Sequence, residues 1–110
     1  MTKVTLFADG EGNPRGFEVE DHSGFAEKGS DIVCAALSVL TINTVNGILA
    51  YTGEHPEIEQ DAESTRIRCI FHEPPGEGST VLLKTFSLGV SSISEQYGKN
   101  YVRIFNRRYQ

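Results

Sequence analysis

A histidine and a cysteine, twelve positions apart, are the side chains in this sequence best suited to chemistry. His22 follows a segment of alternating, strand-like pattern, and Cys34 begins a long apolar segment typical of a helix. The loop 23–30 between them contains glycine and can bring an imidazole beside a thiol, the minimum equipment for nucleophilic catalysis by cysteine. A sulfur in the first turn of a helix also lies where negative charge is favoured, and the thiolate is the reactive form.

Two further polar residues share the helix face of Cys34. Asp31 precedes the cysteine by three positions and Ser38 follows it by four, spacings that put side chains on one face of a helix. Asp31 is predicted either to orient His22, as the third member of a triad does, or only to cap the helix. Ser38 could hydrogen-bond the sulfur, the substrate or its own helix backbone. Cys34 itself could be a small core residue, so spacing alone leaves a structural interpretation open.

The second cysteine is predicted to be structural. Cys69 lies among Ile67, Ile70 and Phe71 in a strand-like segment, which favours the core. The two cysteines fit no zinc or CxxC pattern, and His22 and Cys34 lack further ligands at suitable spacing, so we expect no metal and no cofactor. This cysteine usage favours a reducing cytoplasm.

The length, charge and hydropathy of the chain indicate how many domains it has and which partners it is expected to lack. At 110 residues, the chain is predicted to be one domain over residues 1–110. Its formal charge of −5 argues against direct binding to nucleic acid. Residues 32–53 carry no charge and could span a bilayer by length. Their interspersed serine, threonine and asparagine side chains favour a buried helix instead, so no membrane partner is predicted.

The hydropathy pattern predicts seven elements. They are strands at 3–9 and 16–21, a helix at 31–49, strands at 57–61 and 65–72, a helix at 79–97 and a strand at 101–106. This ββ-α-ββ-α-β order predicts an α+β fold, a single two-layer domain with a mostly antiparallel sheet and two helices packed on one face. The first helix is apolar nearly all the way round, so we expect it to be covered on more than one side.

The segment around the histidine and cysteine resembles the signature of a known family. His22-Ser-Gly-Phe-Ala-Glu-Lys-Gly29, followed by Asp31-Ile-Val-Cys-Ala-Ala-Leu-Ser38, is similar to the motif of the bacterial ribosomal-processing cysteine proteases, the Prp or YsxB-like family. The resemblance extends along nearly the whole chain. It implies a cytoplasmic endopeptidase that removes a short N-terminal extension from a large-subunit ribosomal protein during ribosome assembly. It also implies a homodimer.

The resemblance further implies roles for individual residues. Cys34 would be the nucleophile and His22 the general base, with Asp31 and Ser38 in or near the active site. The loop 23–30 would be a lid over the substrate, with contributions from Gly24, Phe25 and Gly29. One departure stands next to the histidine, where the family often has glycine and this chain has Asp21; Ser23, where alanine is common, is a milder one.

Two other functions compete with a protease. One is a non-catalytic ribosome-assembly or protein-binding module in which Cys34 is structural. The other is a redox module that uses the Cys34 thiol and cleaves no peptide. Alkylation of Cys34 below pH 7 would count against the first, and peptide cleavage would exclude the second.

Overall fold

In the described part of the chain, five strands and two helices follow one another in the predicted order. A computed structural model describes residues 1–21, 30–61, 63 and 66–110, with only the backbone of residues 30 and 31. The elements are β1 (Thr2–Ala8), β2 (Pro14–Asp21), α1 (Ser30–Tyr51), β3 (Glu57–Asp61), β4 (Arg66–Ile70), α2 (Glu77–Tyr97) and β5 (Val102–Arg108). The predicted α+β class and ββ-α-ββ-α-β order are therefore confirmed.

The strands form one mixed sheet in the order β3-β4-β2-β1-β5. β1 pairs with β2, β2 with β4 and β3 with β4 in antiparallel fashion, whereas β1 and β5 are parallel. β1 and β4 run in the same direction, because each is antiparallel to β2. α2 crosses over between β4 and β5, so that β5 also runs in this direction and pairs with β1 in parallel. The sheet is thus mostly antiparallel, as predicted.

Both helices contribute to one core against the sheet. Val4 and Phe17 from the strands, Leu37 from α1, and Phe86 and Val90 from α2 belong to a single buried cluster. Phe17 and Phe86 stack with ring centroids 4.0 Å apart, which joins β2 to α2. Alternation along β2 turns its other side chains away from this core.

The opposite face of the sheet is charged. Glu18 projects from it and forms an ion pair with Arg66 at 3.4 Å, and Arg66 also lies 3.5 Å from Glu59 on β3. Pairs this exposed contribute little stability. Because successive side chains of a strand point to opposite faces, the residues that alternate with Glu18 along β2, including Asp21 at its end, face the helices.

The first helix is covered on one side only, so the expectation of cover on several sides is wrong for the single chain. Its buried stripe is Val33, Leu37, Thr41, Thr44 and Ile48. The hydroxyls of Thr41 and Thr44 donate to the carbonyls one turn earlier, which satisfies them inside an apolar stripe. Four large aliphatic side chains of α1 point outward, with exposures of 61% at Ile32, 68% at Val39, 51% at Ile42 and 42% at Leu49.

By length and composition, α1 would also be able to cross a membrane. The stretch Ile32–Tyr51 meets that criterion among the described residues. A core helix of a soluble protein meets the same criterion. Three residues of this stretch, Val33, Leu37 and Ile48, belong to the core that α1 shares with the sheet and α2.

Candidate active site

Cys34 lies near one end of the sheet, where β1 begins and β2 ends. It is half-buried and reduced. α1 begins at Ser30, one of the two starts predicted from the sequence, and Cys34 is its fifth residue, at the boundary between the first and second turns. The electrostatic effect of a helix end falls off within the first turn, so the helix gives a thiolate at Cys34 little support.

The carboxylate of Asp21 is a hydrogen-bond partner of Cys34. The Cys34 Sγ–H donates to Asp21 Oδ2 at a distance of 3.1 Å. Strand alternation explains the contact, because Phe17, Val19 and Asp21 occupy every second position of β2 and face the helices. Asp21 pairs with Thr2 across β1–β2, at the sheet end over which α1 begins.

The sequence predicted Asp21 only as the neighbour of His22, and the hydrogen bond between Asp21 and Cys34 was not predicted. The signal was present in the sequence, since the apolar alternation of Phe17 and Val19 along the predicted strand 16–21 extends by one more step to Asp21. A polar residue at the inward end of a strand pattern is a candidate for the site that the strand borders.

A small cavity opens beside the sulfur. It measures about 160 Å³, and its lining consists of Thr2, Val19, Asp21, Cys34, Leu37, Ser38, Thr41 and Ile67. The predicted common face of Cys34 and Ser38 is therefore confirmed. Since one water molecule in the liquid occupies about 30 Å³, the space suits one side chain or several waters, with apolar walls and a polar rim.

Several predicted site residues lie outside the described residues. These are His22, Gly24, Phe25 and Gly29, and the side chain of Asp31. The assignment of His22 as base and the choice between orienting and capping roles for Asp31 therefore stay predictions. The positions of Cys34 and Ser38 are compatible with their predicted roles, without testing those roles.

Cys69 lies in the core, as the sequence predicted. Its side chain is fully buried in β4. Burial raises the pKa of the Cys69 thiol from 9.0 to about 11, so the thiolate is negligible at neutral pH. Of the two thiols, Cys34 is the one that a reagent or substrate can reach.

A second polar grouping lies away from Cys34. The exposed His72 contacts the Tyr109 hydroxyl through Nδ1 at 2.6 Å and the Glu57 carboxylate through Nε2. The hydrogen bond from His72 holds the pKa of Glu57 below its usual value. Within the described part of the chain, no three metal-binding side chains cluster so as to hold an ion.

Comparison with known proteins identifies the family. The model of the family described as cysteine protease Prp matches residues 1–102. The chain belongs to the cysteine protease Prp family. It is therefore a cysteine protease, and the alternative of a non-catalytic module is wrong.

Named relatives agree with this membership. The ribosomal processing cysteine protease Prp of Staphylococcus aureus strain Mu50 is 27% identical over 100 residues, which cover 91% of this chain and 94% of that protein. The protein of the same name from Bacillus subtilis strain 168 is 35% identical over 43 residues, which cover 39% of this chain and 38% of the relative.

Solved structures of Prp share the fold. S. aureus Prp in complex with a substrate peptide has a TM-score of 0.90 and 24% identity, covering 97% of this chain and all of that one. S. aureus Prp with a covalently linked product peptide has a TM-score of 0.86 and 25% identity over the same shares.

Proposed function

We propose that this Prp family protease removes a short N-terminal extension from a large-subunit ribosomal protein in the cytoplasm during ribosome assembly. The observation that carries the proposal is the reachable Cys34 thiol, set between a carboxylate and a side-chain-sized cavity. The names of the relatives support ribosomal processing as the context. No cofactor is required for this chemistry, because the sulfur supplies the nucleophile.

In the proposed reaction, His22 takes the proton of the Cys34 thiol, and the resulting thiolate attacks the scissile carbonyl carbon to form a tetrahedral intermediate. Collapse of this intermediate breaks the C–N bond, and His22 in its protonated form gives its proton to the leaving amine. A water molecule then loses a proton to His22 and attacks the thioester. The second collapse releases the new carboxylate and regenerates Cys34.

The remaining residues have supporting roles in this proposal. Gly24, Phe25 and Gly29 belong to the loop that covers the substrate, which would restrain a cytoplasmic protease from cleaving other chains. Ser38 borders the same cavity as Cys34, where it can hydrogen-bond a substrate backbone group. The net charge of −5 favours a basic substrate such as a ribosomal protein.

The first test is the intact mass of an N-terminally extended large-subunit ribosomal protein after incubation with the enzyme. We expect wild type to remove the extension and Cys34→Ala to leave it in place. Cys69→Ala is the matched control and should cleave, because Cys69 is a core residue. Cleavage by Cys34→Ala would contradict Cys34 as nucleophile, and no cleavage by wild type would contradict the substrate.

A second test separates the two roles proposed for Asp31. Asparagine caps helices about as well as aspartate but carries no charge, so Asp31→Asn removes an orienting carboxylate and keeps the cap. If Asp31 orients His22, kcat falls and the melting temperature stays the same. If Asp31 only caps the helix, Asp31→Asn keeps its activity, while Asp31→Ala loses about 1 kcal/mol of stability.

We also propose that the enzyme is a homodimer that pairs α1 with its copy. The outward stripe Ile32, Ala35, Val39, Ile42, Asn46 and Leu49 repeats at steps of three and four residues, the spacing of a helix–helix seam. A second copy would cover the side of α1 that the single chain leaves exposed. Because the buried stripe of α1 packs in the core, the exposed one is too narrow for a membrane-spanning helix, and we propose no membrane partner.

A further inference from the structure

We propose that Asp21 is a positioning residue that holds Cys34 as a hydrogen-bonded thiol in the resting enzyme and thereby sets the pH range in which the nucleophile ionises. This inference rests on the proposed role of Cys34. At the end of β2, this chain places a carboxylate against the sulfur. The consequence is a lower resting reactivity of the thiol at neutral pH.

A short hydrogen bond joins the Cys34 thiol to the Asp21 carboxylate. Cys34 Sγ lies 3.1 Å from Asp21 Oδ2 with the sulfur as donor. An ionised carboxylate can only accept hydrogen bonds, so it needs the sulfur to keep its proton. Both partners stand on regular elements, since Asp21 pairs with Thr2 in the sheet and Cys34 is inside α1.

Loss of that proton would place two negative charges 3.1 Å apart. Like charges at this distance disfavour the second ionisation, as in paired carboxylates. The apolar walls Val19, Leu37 and Ile67 of the adjoining cavity weaken solvent screening of the repulsion. Since Cys34 begins the second turn of α1, the helix end offsets little of this repulsion.

Asp21 and Cys34 are the ionisable members of the cavity lining, to which β1 contributes Thr2 and β4 contributes Ile67. Lys3, Glu20 and Arg66 occupy cross-strand positions on the other face of the sheet.

Two more ionisable side chains are near in sequence, those of His22 and Asp31, and both lie outside the described residues. A protonated His22 would favour the thiolate and oppose Asp21, whereas an ionised Asp31 facing the sulfur would act in the same direction as Asp21. The experiment therefore measures the effect of Asp21 with and without His22.

The test is the rate of iodoacetamide alkylation of Cys34 between pH 5 and 10, resolved from Cys69 by peptide mass. Asp21→Asn keeps the shape and hydrogen-bonding reach of the side chain and removes its charge. We expect its pH–rate midpoint to lie about one pH unit or more below that of wild type, which gives about tenfold faster alkylation at pH 7. Glu20→Gln, the matched control on the other face, should follow the wild-type profile.

Combination with His22→Ala separates a direct effect from one through the imidazole. If Asp21 acts on the sulfur, Asp21→Asn lowers the midpoint in the His22→Ala protein as well. Coincident profiles in both backgrounds, or a midpoint that rises, would overturn the proposal. Asp21→Gly provides a second variant should Asp21→Asn melt below the assay temperature. Alkylation needs no peptide, so failure of wild type to cleave the ribosomal protein would refute the proposed substrate and leave this measurement interpretable.

Discussion

The two cysteines show how the same side chain takes different chemistry from its setting. Cys69 lies on a central strand with no exposed atoms, and Cys34 is half-buried on a helix beside a carboxylate. The first environment suppresses ionisation by desolvation, and the second tunes it by a neighbouring charge. Apolar neighbours in the sequence were enough to predict the first. The second depends on which strand end meets the helix.

The buried thiol predicts a specific loss of stability at alkaline pH. The pKa of Cys69 is raised from 9.0 to about 11 in the folded protein. The unfolded chain therefore loses this proton first, so the contribution of Cys69 is fully present below pH 9 and is lost as pH rises toward 11. The slope approaches about 1.4 kcal/mol per pH unit. Urea unfolding at pH 8, 9 and 10 should show a steeper decline for wild type than for Cys69→Ala, and parallel declines would contradict the shift.

At the scale of elements, the spacing of apolar residues and the positions of turn residues predicted the order of the strands and helices, because both reflect local backbone preferences. Alternation along β2 placed Phe17 and Val19 inward, and both are buried. Gly98 ends α2 with a φ of 96°, a backbone conformation that favours glycine. The outward apolar stripe of α1 was misread, because an all-round apolar helix does not reveal whether its cover comes from the same chain.

The contact between β2 and β4 depends on a glycine that the sequence pattern did not explain. Gly16 has a φ of +147°, and a Cβ there would lie 2.0 Å from the backbone oxygen of Cys69. Gly12 has a φ of +85° with nothing within 4 Å. We expect Gly12→Ala to cost about 1 kcal/mol for backbone strain alone and Gly16→Ala to cost more than about 2 kcal/mol. Chemical denaturation of both variants measures the difference, and equal losses would show that β4 moves aside.

At the scale of the whole molecule, the site is made by topology that no single segment encodes. Thr2, Asp21, Cys34 and Ile67 come from four elements and meet because β1 and β2 pair in register under the start of α1. Motif spacing could predict Cys34 and Ser38 on one face, but the approach of Asp21 required the sheet order and the helix placement together.

The acidic charge of the molecule predicts a salt-dependent encounter with the proposed basic substrate. Glu63 lies just beyond the end of β3, at the same end of the sheet as Asp21. At that end, β3 pairs with Arg66 of β4, and Arg66 pairs with Glu20 of β2, the neighbour of Asp21. Glu11 lies in the β1–β2 turn at the other end of the sheet. We expect kcat/KM to fall as salt rises with kcat little changed, and Glu63→Lys to lower kcat/KM more than Glu11→Lys at low salt. Equal effects of the two variants would show that net charge acts without a preferred end.

The exposed stripe on α1 predicts the oligomeric state. Val39 and Ile42 are 68% and 51% exposed in the single chain, in the middle of a seam that begins at Ile32, two residues before Cys34. A buried glutamate on each partner would place unpaired charges in the seam, so Val39→Glu and Ile42→Glu should convert a dimer to monomers at micromolar concentration.

Leu88→Glu is the matched control, because Leu88 is 69% exposed on α2 outside the proposed seam. Sedimentation equilibrium should find Leu88→Glu dimeric like wild type. A monomeric wild type would refute the dimer itself, and a dimeric Val39→Glu would move its interface away from α1. The Cys34 alkylation profile of the monomeric variants then tests whether the partner influences the nucleophile.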